Sequence, residues 1–89
     1  MTIRHLKIFI AVCEHGSTTK AAEALFLVQP TVSHAISELE KYYKVSLFDR
    51  INQRLLLTDA GKELLIKAKA TVTSFDDFES FATAQGQNP

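Results

Sequence analysis

Residues 17–43 have the sequence STTKAAEALFLVQPTVSHAISELEKYY, which is the pattern of two short helices joined by a tight connection. Ser17 can cap the first helix, because its side-chain oxygen can accept a hydrogen bond from a free backbone N–H. The interior of that helix consists of residues that let another helix approach closely: Ala21, Ala22 and Leu25. Pro30 suits the first turn of the second helix, where its missing N–H is not needed. The apolar residues 26–28 then form the connection.

The second helix of this pair has one apolar and one polar face. At 100° per residue, four apolar side chains fall within about 60° of one another and form a predicted buried stripe: Val32, Ile36, Leu39 and Tyr43. The opposite face carries Pro30, His34, Ser37 and Lys41, with Thr31, Ser33 and Glu38 at its flanks. Such a face is either solvated in an ordinary three-helix core or contacts a partner. Helix-turn-helix proteins place the equivalent helix in the major groove of DNA, and the pattern alone leaves both possibilities open.

Before this pair the sequence predicts another helix. Its apolar residues recur at spacings of three and four, as in a helix with one buried face: Ile3, Leu6, Phe9, Ile10 and Cys13. Thr2 is the expected N-cap, and Gly16 is placed to end the helix in a left-handed conformation.

After the pair the sequence predicts a hairpin and a long helix. Residues 47–50 and 55–57 indicate two short extended segments, joined by the polar turn 51–54. Thr58 can then cap a helix whose apolar residues again follow spacings of three and four. The final residues, 85–89, contain no large apolar side chain and indicate a linker.

Length and composition indicate one small globular domain of 89 residues, with 46% hydrophobic and 22% charged residues. The formal net charge is zero, but the charges are unevenly distributed. Residues 1–58 carry seven basic and five acidic side chains, whereas residues 59–89 carry three basic and five acidic ones. No acidic residue occurs between positions 24 and 37. The average therefore conceals a basic front and an acidic tail, and it does not exclude a nucleic-acid partner.

Several other classes of protein are disfavoured. No apolar run approaches the ~18 residues of a membrane span, and the N-terminus lacks the apolar region of a signal peptide. We therefore expect a cytoplasmic protein with no membrane partner. The single cysteine, Cys13, excludes an internal disulfide framework and a cysteine-based zinc site, and a buried inert thiol is expected on this apolar stripe.

An enzyme is also disfavoured. The three histidines lack the spacing of metal ligands, and no glycine-rich phosphate loop is present: the histidines are His5, His15 and His34. We predict no catalytic residues, no metal and no cofactor in this fragment. The rival to DNA binding is a helical module that binds a protein through the polar face of the second helix.

Residues 17–61 resemble the N-terminal DNA-binding domain of LysR-type transcriptional regulators. The matching positions are Ser17, Ala21, Ala22, Leu25, Gln29, Pro30, Val32, Ser33, Ile36, Leu39, Glu40, Leu47, Phe48, Arg50, Leu57, Thr58, Ala60 and Gly61. Leu6, Phe9 and Val12 also fit, so the resemblance runs over about residues 2–75. It implies a mainly α fold: a winged helix-turn-helix, with a three-helix core and a small two-stranded wing, followed by a long C-terminal linker helix. The implied function is sequence-specific binding of double-stranded operator DNA in the bacterial cytoplasm, associated with the nucleoid.

The resemblance also implies a division of the chain. The DNA-binding domain takes residues 1–58, a linker and dimerisation helix takes residues 59–84, and residues 85–89 are the remnant of an interdomain linker. Members of this family are normally longer and carry a C-terminal effector-binding domain. We therefore expect an excised domain, whose full-length protein responds to a small-molecule effector.

A homodimer through the last helix is the implied assembly, with a higher oligomer open to the full-length protein. The expected interface residues are Leu64, Leu65, Ala68, Val72, Phe75 and Phe78. The phenylalanines at 75, 78 and 81 make a broad apolar strip, because a spacing of three drifts around a helix. The alternative is that this strip packs against the first helix of the same chain.

The resemblance assigns the contacts with DNA. A recognition helix at about 29–43 would enter the major groove, and a wing at about 47–57 would lie on the backbone or in the minor groove. The candidate DNA-binding residues are Thr18, Lys20, Gln29, Pro30, Thr31, Ser33, His34, Ser37, Arg50 and Arg54.

Three of these candidates carry specific expectations. The Gln29 amide can bond adenine N6 and N7, with a solvated helix start as the alternative. Arg54, expected at the wing tip, can contact phosphate or a narrow minor groove. Arg50 can contact DNA or pair with Asp49 or another nearby acid.

Four residues depart from the family pattern. Val28 stands where Ser is common, so the recognition helix lacks a side-chain cap, at a cost of about 1 kcal/mol. Lys44 stands where Gly is common, and a lysine with positive φ is unfavourable. Ala35 replaces a common Gln, and Thr18 replaces a common aromatic residue. The family's usual base contacts are therefore not expected unchanged, chiefly at positions 28 and 35.

Overall fold

The computed structural model describes residues 1–86 as four helices and one two-stranded antiparallel sheet. In chain order the elements are α1 (Ile3–His15), α2 (Thr18–Leu25), α3 (Gln29–Tyr43), β1 (Phe48–Ile51), β2 (Arg54–Leu57) and α4 (Asp59–Gly86). The predicted fold is confirmed: a three-helix core, a small wing and a long final helix.

Local capping separates the first two helices as predicted. Gly16 has a φ of +67° and lies beyond the end of α1, where its left-handed conformation costs little. Ser17 Oγ then accepts a hydrogen bond from the Lys20 backbone N–H at 3.2 Å, which caps α2. Val28 holds the cap position of α3 in an extended conformation without a side-chain hydrogen bond, as predicted.

The core forms where α1, α2 and α3 meet. The largest side chains with no or almost no exposed surface are Phe9, Leu39, Leu47, Val12 and Val32. The predicted stripe on α3 is confirmed for Val32, Ile36 and Leu39 but is wrong for Tyr43, which is 38% exposed. The helix ends at Tyr43, Lys44 turns the chain away with φ +57°, and Leu47 fills the core instead.

The wing is a tight antiparallel hairpin whose strands differ from those predicted. Ile51 pairs with Arg54, and the turn consists of Asn52 and Gln53, with φ of 51° and 64°. Two consecutive residues with positive φ suit the right-handed twist of a hairpin. The predicted four-residue turn 51–54 was therefore too long, and Leu47 belongs to the core rather than to β1.

The start of α4 is fixed against the core. The Gly61 N–H donates to Thr58 Oγ1 at 3.0 Å, which confirms the predicted cap, and the Thr58 hydroxyl donates to the Ser46 carbonyl at 2.6 Å. A Cβ at Gly61 would clash with the Leu47 carbonyl oxygen and lie 2.8 Å from Leu57 Cδ2. Glycine is required here because the backbones of α4 and the core approach closely.

The far end of α4 extends past the predicted bound at residue 84. The helix includes positions 85 and 86, which the sequence placed in the linker 85–89. Residues 87–89 of that linker lie outside the described residues. The division into a domain at 1–58 and a helix at 59–84 stays a prediction. Over the described length, none of the helices is long and apolar enough to cross a membrane.

The inner face of α4 packs against the chain's own core. Ala68 is 1% exposed, so it packs almost entirely within the same chain, and its predicted place in a dimer interface stays a prediction. Four other residues of that predicted interface are partly buried in the same chain: Leu64, Leu65, Val72 and Phe75. At this contact the Lys7 ammonium of α1 lies 3.3 Å from Asp76 Oδ1 and 5.7 Å from the Phe75 ring centroid.

The outer face of α4 carries large exposed apolar side chains. Phe78 is the one residue of the predicted interface that is exposed, with 69% of its surface accessible to solvent. Ile66 and Phe81 are 74% and 65% exposed. The free apolar surface therefore lies on a different side of α4 from most of the predicted interface.

Replacing Lys44 by glycine should stabilise the protein. Lys44→Gly removes the steric cost of φ +57° and should raise the free energy of unfolding by about 1 kcal/mol. The matched control Lys41→Gly changes the same residue type inside α3 and should lower it by about 1 kcal/mol. Urea unfolding followed by circular dichroism measures both, and a destabilised Lys44→Gly would contradict the prediction.

Candidate nucleic-acid interface

The first residues of α2 and α3 meet at one surface. The Gln29 side-chain nitrogen, Nε2, donates to Thr18 Oγ1 at 3.0 Å and also to Ser33 Oγ. Thr18 and Gln29 each begin their helix, so the N-termini of α2 and α3 lie side by side. Lys20 is exposed in the first turn of α2, on the same end of the pair.

The outer face of α3 continues this surface. Four of its predicted contact residues are exposed on the solvent side: Gln29, Pro30, His34 and Ser37. Lys41 is exposed on the same face, and Thr31 and Ser33 are half-buried at the flanks. The structure therefore brings together all of the candidate residues predicted on α2 and α3. Ala35 is 5% exposed, so position 35 belongs to the core and offers no surface for a base.

The two wing arginines lie on opposite faces of the hairpin. Arg50 is opposite Leu55 in the pairing, and Phe48 and Leu57 share that face, which packs toward the helices. Arg50 lines a cleft there with Thr18, Ser33, Ser37 and Glu40. Arg54 is opposite Ile51 on the other face and is exposed. Arg54 therefore begins β2 rather than occupying the tip, where Asn52 and Gln53 lie.

A shared carboxylate links α1 to the recognition face. Glu38 Oε1 lies 3.0 Å from His34 Nε2 and 3.5 Å from His5 Nε2. The Thr2 backbone N–H donates to His5 Nδ1 at 3.2 Å, so this imidazole carries its hydrogen on Nε2, toward Glu38, when neutral.

Sequence reasoning missed this cluster as a unit. The i,i+4 spacing of His34 and Glu38 is a visible signal for a side-chain pair on one helix. The contribution of His5 depends on how α1 crosses α3, which no local pattern shows. Arg4 adjoins the cluster in a groove between the same two helices.

Cys13 does not belong to this surface. It is half-buried on α1, and burial raises the pKa of its thiol to about 11, against an opposing effect of nearby Lys69. The thiolate that nucleophilic chemistry needs is therefore scarce near neutral pH. Among residues 1–86, no three His, Cys, Asp or Glu side chains are grouped so that they could hold a metal ion.

Sequence comparison decides the family. Residues 3–62 match the family described as bacterial regulatory helix-turn-helix protein, lysR family. The chain belongs to the LysR family. That span includes the core, the recognition helix, the wing and the start of α4, so it covers every candidate DNA-binding residue named above.

Other LysR-type regulators align along most of the chain. The uncharacterized HTH-type transcriptional regulator YvbU of Bacillus subtilis is 42% identical over 86 residues, covering 96% of this chain and 30% of the relative. The HTH-type transcriptional activator CmpR of Synechocystis is 40% identical over 86 residues, covering 96% of this chain and 28% of the relative. The chain thus spans less than a third of the length of either.

A solved structure shares the whole architecture of this LysR-family chain. The crystal structure of the BenM DBD/catB site 1 DNA complex superposes with a TM-score of 0.91 at 30% identity, covering 100% of both chains. Its agreement extends to the long helix that follows the wing, because the full length of each chain is matched.

Glu38 should weaken binding of DNA to this surface. Its carboxylate lies on the flank of α3 and adds a negative charge beside the recognition face. Glu38→Gln should therefore tighten binding to duplex DNA by about fivefold at low salt, since like charges a few ångströms apart repel by about 1 kcal/mol in water.

Glu79→Gln is the control for net charge. Glu79 is exposed on α4, so its replacement changes the total charge equally but away from the recognition face. Fluorescence anisotropy with a labelled duplex measures both variants, and the Glu38 effect should shrink as salt rises. Equal gains for the two variants would mean that position on the surface does not matter.

Proposed function

We propose that this chain is the DNA-binding domain of a bacterial LysR-type transcriptional regulator and binds double-stranded operator DNA in a sequence-specific manner. One observation carries the proposal: the buried stripe of α3 turns its polar face outward, and the start of α2 lies beside it. This presents an exposed helix of the dimensions that a major groove admits, flanked by groups that bind phosphate.

Contacts with phosphate would position the domain. The free N–H groups at the start of α2, together with Thr18 and Lys20, suit one strand of the backbone. Arg50 lies in the cleft between wing and α3, and Arg54 lies on the outer wing face. Backbone or minor-groove contact by Arg54 suits this exposed position.

Base edges would be read from α3. Gln29 and Ser33 carry hydrogen-bonding groups at the start of the helix, and Pro30 and Thr31 can touch a thymine methyl or the backbone. His34 and Ser37 lie in the next turns of the same face. Helix-turn-helix proteins make their base contacts through this N-terminal part of the second helix.

The rival function is a module that binds a protein through the same face. Charge favours DNA: in residues 1–86, neither Arg50 nor Arg54 forms a salt bridge, so no carboxylate in direct contact offsets their charge toward an anionic partner. The DNA complex formed by the structurally similar BenM domain supports the same choice.

The wider biology is part of the proposal. We infer that this domain does no chemistry of its own and needs no cofactor, and that it works on the nucleoid in the cytoplasm. A small-molecule effector would act on the full-length regulator through a region outside this chain. The relatives that carry the same domain are named as transcriptional regulators, which supports a non-enzymatic role.

Gln29 and Arg54 should affect DNA binding differently. Gln29→Ala should relax the base preference at one position of each half-site, costing about 1–3 kcal/mol there. Arg54→Ala should weaken binding to most sequences. It should also lower, by about one, the magnitude of the slope of the logarithm of the binding constant against the logarithm of the salt concentration. Binding of each variant to selected and random duplexes over a series of salt concentrations measures both effects. Equal losses on both duplexes for both variants would contradict sequence reading by α3.

We further propose that two copies pair through α4, which would present two recognition helices to a two-fold-related operator. The support is the exposed apolar side of α4, with Ile66, Phe78 and Phe81. Phe78 and Phe81 lie one turn apart on this helix, and monomeric proteins rarely expose a large contiguous apolar patch.

Sedimentation tests the pairing. The double variant Phe78→Glu, Phe81→Glu should shift the chain toward monomer, because it places charges in an apolar contact. Phe75 is left intact, since it packs against Lys7 of the same chain. Ser80→Glu, an exposed position between the two, is the control and should not change the distribution. A wild-type chain that is monomeric at high micromolar concentration would contradict the pairing.

A further inference from the structure

The amide of Gln29 is held at its nitrogen end. Nε2 donates to Thr18 Oγ1 and to Ser33 Oγ, and a glutamine amide nitrogen has two hydrogens to donate. Both donors are therefore used inside the protein. The carbonyl oxygen, Oε1, has no hydrogen-bond partner within residues 1–86 and belongs to an exposed side chain.

The two acceptors that hold this amide are fixed by the fold. Thr18 is the first residue of α2, and the Ser17 cap sets where that helix begins. Ser33 lies one turn along α3 from Gln29, so the two share a helix face. Thr18 and Ser33 are half-buried, whereas Gln29 is exposed. The hydroxyls are thus held in place while the amide faces solvent.

We propose that Thr18 is a positioning residue that sets the base preference of Gln29. By holding the amide nitrogen, it leaves the carbonyl oxygen as the group that faces DNA. The inference rests on the proposed function and assigns Thr18 a role in specificity that is separate from any contact with phosphate.

The chemistry of the major groove gives this arrangement a consequence. A lone carbonyl oxygen needs a donor, and the base edges offer adenine N6 and cytosine N4. Guanine and thymine present acceptors there, which this oxygen repels. Recognition of adenine alone requires the amide nitrogen to reach N7 as well. Gln29, held as it is, accepts adenine or cytosine at its position and does not distinguish strongly between them.

The hydroxyl of Thr18 ties the amide nitrogen of Gln29 to α2. A side chain without a hydroxyl at position 18 would leave one of the two amide hydrogens free. A glutamine without this restraint has a free N–H and can bond adenine through two atoms. The Thr18 hydroxyl therefore broadens the set of bases that Gln29 accepts.

The experiment begins by finding the base pair that Gln29 contacts. The 89-residue chain selects duplexes from a pool with randomised bases, and the position whose preference disappears in Gln29→Ala is the one contacted. Four duplexes that differ only at that position are then compared. The wild-type affinities for the adenine and cytosine duplexes should differ by no more than about threefold, because a single hydrogen bond can form with either base.

Substitutions at Thr18 then test the positioning role. Thr18→Val keeps the shape but removes the hydroxyl, so it should favour adenine over cytosine by about fivefold or more. Thr18→Ser keeps a hydroxyl at this position and should therefore keep the wild-type ratio of adenine to cytosine affinity. Thr19→Val, the same change at the adjacent exposed residue, should leave the ratio unchanged. The ratio of the affinities for the adenine and cytosine duplexes is insensitive to a uniform loss of affinity or of folded protein.

Three results would overturn the inference. An adenine-to-cytosine ratio that is the same in wild type and Thr18→Val means that the hydroxyl does not set the preference. A wild-type preference for guanine or thymine means that the amide nitrogen faces DNA. A strong wild-type preference for adenine over cytosine means that the amide is not restrained. Failure of wild type to select any sequence would instead contradict the proposed function itself.

Discussion

Burial of one stripe of α3 determines where the chain can meet a partner. Val32 and Leu39 have no exposed surface and lie seven residues apart, which is two turns of a helix. Because a helix is rigid about its own axis, fixing these two side chains in the core also fixes the direction of all the others. Small residues on α2, Ala21 and Ala22, let the three helices close around that stripe. The polar surface is therefore as well defined as the core behind it.

The turns that connect these elements make little use of glycine. Gly16 is one of five residues with positive φ in the described chain, and the others are Phe26, Lys44, Asn52 and Gln53. The turns after α2 and α3 are closed by backbone hydrogen bonds between residues five positions apart: the Leu27 N–H donates to the Ala22 carbonyl, and the Val45 N–H donates to the Glu40 carbonyl. Such bonds satisfy helix carbonyls that would otherwise lack partners. They offset the strain of left-handed residues that carry side chains.

What the sequence predicted well is local, and what it missed depends on tertiary placement. The caps at Ser17 and Thr58 follow from residues within one turn, so both were predictable. Tyr43 was misplaced because its exposure depends on the left-handed turn at Lys44, which no helical periodicity reveals. The face of the hairpin on which each wing arginine lies depends on the strand register. The length of the turn sets that register, and the turn has two residues rather than the predicted four. The apolar spacing of α4 indicated a buried side correctly, but not that the chain's own core would cover most of it.

The long final helix also has a mechanical consequence. Its 28 residues span about 42 Å, and its packing against α1 reaches as far as Asp76, where Lys7 pairs with it. The remaining ten residues extend about 15 Å beyond that last anchor as a rigid rod. A tilt of about 10° at the anchor displaces the end of the rod by nearly 3 Å, by the geometry of a straight helix. The helix is thus a lever whose longer arm is embedded in the DNA-facing domain, and a force applied at its far end would be transmitted to α1 and through it to the orientation of α3.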